Sequence, residues 1–173
     1  MAPVAAVVAA LAVVGCGTPG MLPAVAECPA ATATPSVSPG WRTQSGGYAS
    51  TVRAGTERLV SLREGLRKEY PTEKFPGDPA FRPRFATYAD ETVCAAEALK
   101  AVAAPPGYEG ADQQLDAALD ALIATSRAGR EAVGKRNATE YHTWYREVDE
   151  KLVAVKNAAP VRFVPTATPP IRN

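Results

Sequence analysis

Prolines divide the middle of this 173-residue chain into segments whose apolar residues recur at the period of an α-helix. Within each segment the apolar residues are spaced alternately by three and four, which places them on one face of a helix. Pro71 and Pro105-Pro106 stand where two of these patterns stop, and proline disfavours helical backbone in the residue before it. The pattern therefore predicts amphipathic helices joined by short connections. The four segments are residues 48–69, 78–103, 109–135 and 137–159.

The sequence also indicates where individual helices begin and end. Asp78 followed by Pro79 predicts the N-cap and the first helical residue of the second helix. The apolar faces of the third and fourth segments are out of phase, so one unbroken helix would turn one of them into water. We therefore predict a break, with Gly134 ending the third helix and Asn137 capping the fourth, Glu140 following three residues later. A single kinked helix is the alternative.

These segments predict an all-α fold, an antiparallel up-down four-helix bundle over residues 48–159. Residues 16–47 are rich in Pro, Ser, Thr, Ala and Gly and lack the apolar surface that would offset the cost of ordering them. This composition predicts an extended stalk over residues 16–47. Four prolines in residues 160–173 predict an extended C-terminal tail.

The amino terminus carries an apolar run that ends in Val13-Val14-Gly15-Cys16. At about a dozen residues it is shorter than the roughly 20 that a membrane-spanning helix needs, and residues 1–15 are typical of a signal peptide. No Lys or Arg precedes the run, although secretory signals ordinarily carry one. The four residues ending in Cys16 resemble the lipobox of bacterial lipoproteins. The resemblance implies cleavage before Cys16, acylation of its thiol with chains such as palmitate, and an extracytoplasmic, lipid-anchored position in a bacterial cell envelope.

The balance of charge argues against polyanionic partners. The chain has 19 Lys and Arg against 18 Asp and Glu, so it offers no electrostatic attraction for nucleic acid or for anionic lipid surfaces. We therefore expect no nucleic acid. The expected partners are the membrane, through the lipid anchor, and another envelope protein.

Three cysteines are present, and the resemblance assigns Cys16 to lipid. Cys28 and Cys94 remain, in a chain bound for an oxidising compartment, and we predict that they form a disulfide. A bond between residues about 66 positions apart lowers the entropy of the unfolded chain, by roughly 4 kcal/mol on the chain-entropy account. The alternative is that Cys94 is simply a small buried apolar residue.

The sequence lacks the motifs that specify common reactions. A di-iron bundle requires Glu-x-x-His pairs, but His142 is the one histidine, and Thr139 stands where its glutamate would be. Cys-x-x-Cys pairs, glycine-rich phosphate loops and a nucleophile elbow are likewise absent from the sequence. We therefore expect a non-enzymatic protein with no catalytic residue, metal site or cofactor.

The densest aromatic cluster is Glu140–Arg146, and Trp, Tyr and Arg dominate binding hot spots. Helical spacing nevertheless places Tyr141 in the core with Trp144 at its border, and turns His142 and Arg146 outward. The favoured hypothesis is an interaction or structural module. The alternative is a ligand-binding or sensory bundle that holds a small apolar or aromatic molecule between its helices. The candidate contact residues are Phe81, Phe85, Tyr141, His142, Trp144 and Arg146.

Two rows of charged residues are predicted to be solvated faces rather than sites. Carboxylates spaced four apart on a helix could bind a cation, yet such rows usually face water. The acidic row is Asp112, Asp116 and Asp120. The basic group is Arg63, Arg67 and Lys68.

Overall fold

The computed structural model describes Cys28 and residues 41–159. The predicted signal peptide, the lipidated Cys16, most of the stalk and the C-terminal tail lie outside the described residues. The helices are α1 (Trp41–Glu69), α2 (Phe81–Lys100), α3 (Glu109–Gly134) and α4 (Ala138–Ala158).

Consecutive helices pack against one another in antiparallel order. α2 lies between α1 and α3, and α3 lies between α2 and α4, while α1 and α4 are the neighbouring pair that packs least closely. Two ion pairs show the register of α2 and α3: Lys100 bonds to Asp120 and Asp90 bonds to Arg130. Residues later in α2 therefore pair with residues earlier in α3, as in antiparallel helices. The predicted all-α, antiparallel four-helix bundle is confirmed.

Helix α1 begins at Trp41, seven residues before the predicted start. The Gly, Ser and Thr content of residues 41–47 had placed them in the predicted stalk. Contacts distant in sequence hold the start of the helix, since the buried Tyr48 ring packs edge-on against Tyr108 and the Tyr48 hydroxyl donates to Asp112 Oδ1 at 2.6 Å. Tertiary packing here outweighs the low helix propensity of Gly46 and Gly47.

The predicted N-cap of α2 is wrong by two residues. Ala80 occupies the N-cap position and makes no side-chain cap. Asp78 instead accepts from the Ala80 amide at 2.8 Å through Oδ1, and its carbonyl accepts from the Phe81 amide at 3.1 Å. Pro79 therefore lies in a turn before the helix, stabilised by the Asp78 side chain, rather than at the first helical position.

The predicted break between α3 and α4 is confirmed, and the single kinked helix is wrong. α3 ends at Gly134, and the Asn137 side chain caps α4 by accepting from the Glu140 amide at 3.2 Å. The left-handed residue of the turn is Arg136, with φ of 56°, rather than a glycine. The Asn137 amide donates to the Ala132 carbonyl at 2.8 Å, the long bond of a Schellman motif.

The interior is formed by one face of each helix. Aromatic rings fill the end near the start of α2 and α4, and aliphatic side chains fill the other end. Many side chains are at most 1% exposed, as expected for a close-packed core. The largest of them are Tyr88, Tyr141, Phe81, Phe85, Leu59, Leu115, Leu119, Leu122, Val52, Val133 and Val148.

Gly129 allows α3 and α4 to approach closely. A Cβ atom at this position would lie 2.7 Å from both Cγ and Nε1 of Trp144, closer than real Cβ atoms come to neighbouring heavy atoms. The indole is itself buried and packed on its other sides, so it cannot move aside easily. Only glycine leaves room for the ring at this helix contact.

We predict that Gly129→Ala lowers the free energy of unfolding by about 1–3 kcal/mol, because overpacking forces side chains or backbone to shift. Denaturant unfolding followed by circular dichroism measures the change.

Gly65→Ala is the matched control, since Gly65 lies inside α1 and an added Cβ meets nothing within 4 Å. There the better helix propensity of alanine should raise the free energy of unfolding by about 0.5–1 kcal/mol. Equal effects of the two substitutions would contradict the close contact.

Candidate functional site

Four of the predicted contact residues form a packed aromatic cluster. Phe81 and Phe85 are 0% exposed, Tyr141 is 1% exposed and Trp144 is 2% exposed. The Phe85 and Trp144 rings meet edge to face with their centres 4.5 Å apart, and Tyr141 stacks near Trp144 at 5.5 Å. Such aromatic pairs stabilise a core beyond the area they bury. The four rings thus contact one another and fill the interior.

The other two predicted contact residues, His142 and Arg146, are exposed on α4, as the helical spacing predicts. His142 Nε2 lies 3.0 Å from the Glu73 carboxylate, in the connection between α1 and α2. Both partners are about half exposed, so this contact belongs to the surface. The structure therefore separates the six candidates into a buried group of four and an exposed pair.

Arg63 contradicts the prediction made for it. It was expected on a solvated face, but its side chain is 3% exposed. Nε and Nη2 donate to the Asp149 carboxylate of α4 at 2.9 and 3.3 Å. The guanidinium also lies over the Trp144 ring at 5.2 Å and the Tyr145 ring at 4.6 Å. A planar cation is well suited to both kinds of contact, and these rings accommodate it.

A signal for this burial exists in the sequence. Arg63 follows Leu59 by four residues and precedes Leu66 by three, and both leucines are buried. The position therefore belongs to the apolar face of α1. The charge of the residue, which usually indicates exposure, obscured its place in the pattern.

We predict that Asp149→Ala lowers the free energy of unfolding by about 1–3 kcal/mol, because it leaves the buried guanidinium without its acceptor. Arg63→Met should cost less, since it removes the buried charge and keeps an apolar stem in the core. Thermal and denaturant unfolding of the two variants give the comparison.

Arg67→Ala is the control, because Arg67 contacts the same carboxylate at 3.7 Å with its side chain 55% exposed. An exposed pair of this kind should contribute less than about 0.5 kcal/mol. If Arg67→Ala lowers the free energy of unfolding as much as Asp149→Ala does, then burial of the Arg63 cation does not explain the effect of Asp149→Ala.

Burial also sets the protonation of the tyrosines around this cluster. It raises the pKa of Tyr88 and of Tyr141 to about 12, against an ordinary value of 10.0. Near neutral pH both hydroxyls are therefore fully protonated and neutral. The cluster thus presents neutral rings and one paired cation.

In the acidic row on α3, Asp112 and Asp116 are half-buried and Asp120 is exposed, as a solvated residue should be. Asp112 accepts the Tyr48 hydroxyl, and burial together with this hydrogen bond raises the pKa of Tyr48. Burial and the neighbouring Asp112 raise the pKa of the Asp116 carboxyl. Asp120 pairs with Lys100 of α2 at 2.5 Å. The row thus has structural partners, and within residues 41–159 and Cys28 no group of His, Cys, Asp and Glu could hold a metal ion.

Cys28 lies against α2 beside Cys94. Their Cα atoms are 5.1 Å apart, within the range that a disulfide spans. Next to them a depression of about 520 Å³ runs between α2 and α3, which we call the α2–α3 groove. Its lining comprises Cys28, Ala89, Asp90, Val93, Ser126, Arg127, Arg130, Glu131, Gly134 and Lys135.

Neither a family model, nor a curated protein, nor a solved structure shows significant similarity to this chain. Among the described helices, none combines the length and the apolar character that crossing a membrane requires.

Proposed function

We propose that the chain is a non-enzymatic lipoprotein of the bacterial cell envelope, whose bundle serves as an extracytoplasmic interaction or structural module. The observation that carries the proposal is the apolar run ending in Val13-Val14-Gly15-Cys16. Acylation of Cys16 would hold the chain stably on a membrane, since each buried methylene of an acyl chain contributes about 0.8 kcal/mol.

The packing of the aromatic cluster supports a module that acts through its surface. Phe81, Phe85, Tyr141 and Trp144 contact one another, so they leave no space between themselves for a small molecule. This arrangement favours the interaction module over a ligand-binding bundle built on the same rings.

One face of α4 is suited to partner contact. His142, Arg146 and Val153 follow one another at intervals of four and seven, which places them on one side of the helix. Val153 is 54% exposed and is the large apolar side chain that stands out on the described surface. Arg is enriched in protein interfaces, and Val153 adds an apolar contact on the same side of the helix. We assign contact with another envelope protein to this face.

We expect Cys16→Ser to release the protein from the membrane fraction, because it removes the acylated thiol. Membrane fractionation followed by mass spectrometry of the N-terminal peptide measures the change. The unsubstituted protein should begin at Cys16 and carry the added mass of its acyl chains.

Cys28→Ser is the matched control and should remain on the membrane, since it removes a cysteine without removing the anchor. Chemical cross-linking in intact cells then compares the envelope proteins captured by the anchored and the unanchored chain. An unsubstituted chain that still begins at Met1 and carries no acyl mass would contradict the anchor.

We also propose that Cys28 and Cys94 form a disulfide in the exported protein. Their positions support this pairing, and so does the oxidising compartment to which a lipoprotein is exported. Alkylation of the unfolded, non-reduced protein should label neither cysteine, and peptide mapping should recover the two as one cross-linked pair. Labelling of both residues would contradict the pairing.

A further inference from the structure

We propose that residues 71–77, in the connection between α1 and α2, form a lid over the aromatic end of the core. The lid opens while the four helices stay folded, and it closes more firmly when His142 is protonated. We call these residues the α1–α2 lid. Neither the lipid anchor nor a partner protein enters the proposal.

The backbone of the α1–α2 lid is not bonded to the helices. Among the described residues, no main-chain hydrogen bond joins residues 71–77 to a helix. A local bond inside the lid runs from the Lys74 amide to Thr72 Oγ1 at 3.1 Å. Pro71 and Pro76 have no amide hydrogen to donate. Segments that lack such bonds and expose most of their residues open at a smaller free-energy cost than the whole domain.

The two ends of the lid are held together by contacts that do not involve residues 71–77. Glu69 at the end of α1 accepts from the Arg84 guanidinium of α2 at 2.9 and 3.1 Å. The Tyr70 ring packs edge-on against Phe81 with the ring centres 4.9 Å apart, and its hydroxyl donates to Asp78 Oδ2 at 3.3 Å. The lid can therefore move while the ends of α1 and α2 keep their positions.

Two side chains hold the lid against the bundle. The half-buried Phe75 ring packs edge-on against Phe81 at 5.6 Å and against Tyr141 at 5.4 Å. Glu73 lies 3.0 Å from Nε2 of His142 on α4. With the lid in place, Phe81 is 0% exposed and Tyr141 is 1% exposed. Opening therefore breaks one aromatic and one polar contact, and it exposes part of the Phe81 and Tyr141 rings.

The polar contact makes the position of the lid depend on pH. Histidine is the side chain whose charge ordinarily changes between pH 5 and 8. When protonated, His142 donates a charge-assisted hydrogen bond to the Glu73 carboxylate, which is stronger than a neutral one. The lid is thus held more firmly at about pH 5.5 than at about pH 8. Both groups are about half exposed, so we expect a change in the closed-to-open ratio of about two- to fivefold.

The other charged groups at this end of the bundle do not replace Glu73. Lys74 of the lid and Arg146, one turn after His142 on α4, keep their charges throughout this pH range. Charged side chains at the ends of the neighbouring helices have partners of their own. These pairs are Arg67–Asp149, Arg84–Glu69 and Lys135–Glu131, with Glu140 of α4 near Lys135.

Fluorine NMR of Phe75 tests the lid in the detergent-solubilised full chain. The chain has four phenylalanines, so labelling with fluorophenylalanine gives few signals, and Phe75→Leu identifies that of Phe75. Between about pH 5.5 and about pH 8 this signal should move towards that of an exposed ring. The signal of Phe85, which is 0% exposed, should stay in place. A Phe75 signal that is independent of pH, or that moves together with that of Phe85, would overturn the proposal.

Glu73→Gln and His142→Gln should each remove the pH dependence and leave the Phe75 signal near its position at about pH 8, because each removes one charge of the pair. Glu147→Gln is the matched control, since it neutralises an exposed carboxylate of α4 that takes no part in the pair, and it should keep the dependence. Circular dichroism and thermal unfolding confirm that the variants fold. A pH dependence that survives Glu73→Gln contradicts the role of the pair.

Hydroxyl-radical footprinting measures whether opening uncovers the core. Oxidation of Tyr141 should rise by about two- to fivefold between the lower and the higher pH, in step with the open fraction. Tyr88, which is also 1% exposed in the closed structure, should not change. An equal rise at both tyrosines would mean that the whole bundle loosens. No rise at Tyr141 would mean that the lid does not cover the core, and either result overturns the proposal.

Discussion

The contact between Trp144 of α4 and Gly129 of α3 determines how the bundle packs. Because residue 129 has no side chain, the indole lies directly against the backbone of α3. The same ring meets Phe85 of α2 at 4.5 Å and the Arg63 guanidinium of α1 at 5.2 Å. All four helices therefore meet at one side chain, and its position depends on the absence of a single methyl group.

The Arg63–Asp149 pair fixes the position of α1 against α4, as the contact of Trp144 with Gly129 fixes the position of α3 against α4. Of the neighbouring pairs of helices, α1 and α4 pack least closely. Few contacts between them are therefore available to fix their register. A buried cation is costly unless it is paired, and here a carboxylate and two aromatic rings provide the partners. Because Asp149 remains 42% exposed, the pair keeps part of its hydration. Any shift of α1 along α4 would leave the buried Arg63 cation without its carboxylate.

Local patterns predicted most of the architecture, and contacts between distant residues decided the rest. Apolar spacing and turn residues were enough to predict four helices, their order and the Asn137 cap. They could not predict that α1 starts at Trp41, because the packing of Tyr48 against Tyr108 is a long-range contact. These patterns gave a wrong prediction for Arg63, because its charge indicates exposure and its position in the helix indicates burial. The α2–α3 groove depends on the spacing between two helices, which periodicity within one helix does not report.

The position of Cys94 would have a mechanical consequence if the chain is held by the proposed anchor at Cys16. With Cys28 bonded to it, tension from the tether would enter at the middle of α2 and bypass the first turn of α1. α2 is flanked by helices on both sides, so the load would be shared across two interfaces. Without the bond, the same pull would enter at the first turn of α1, which packs on α2 and, less closely, on α4.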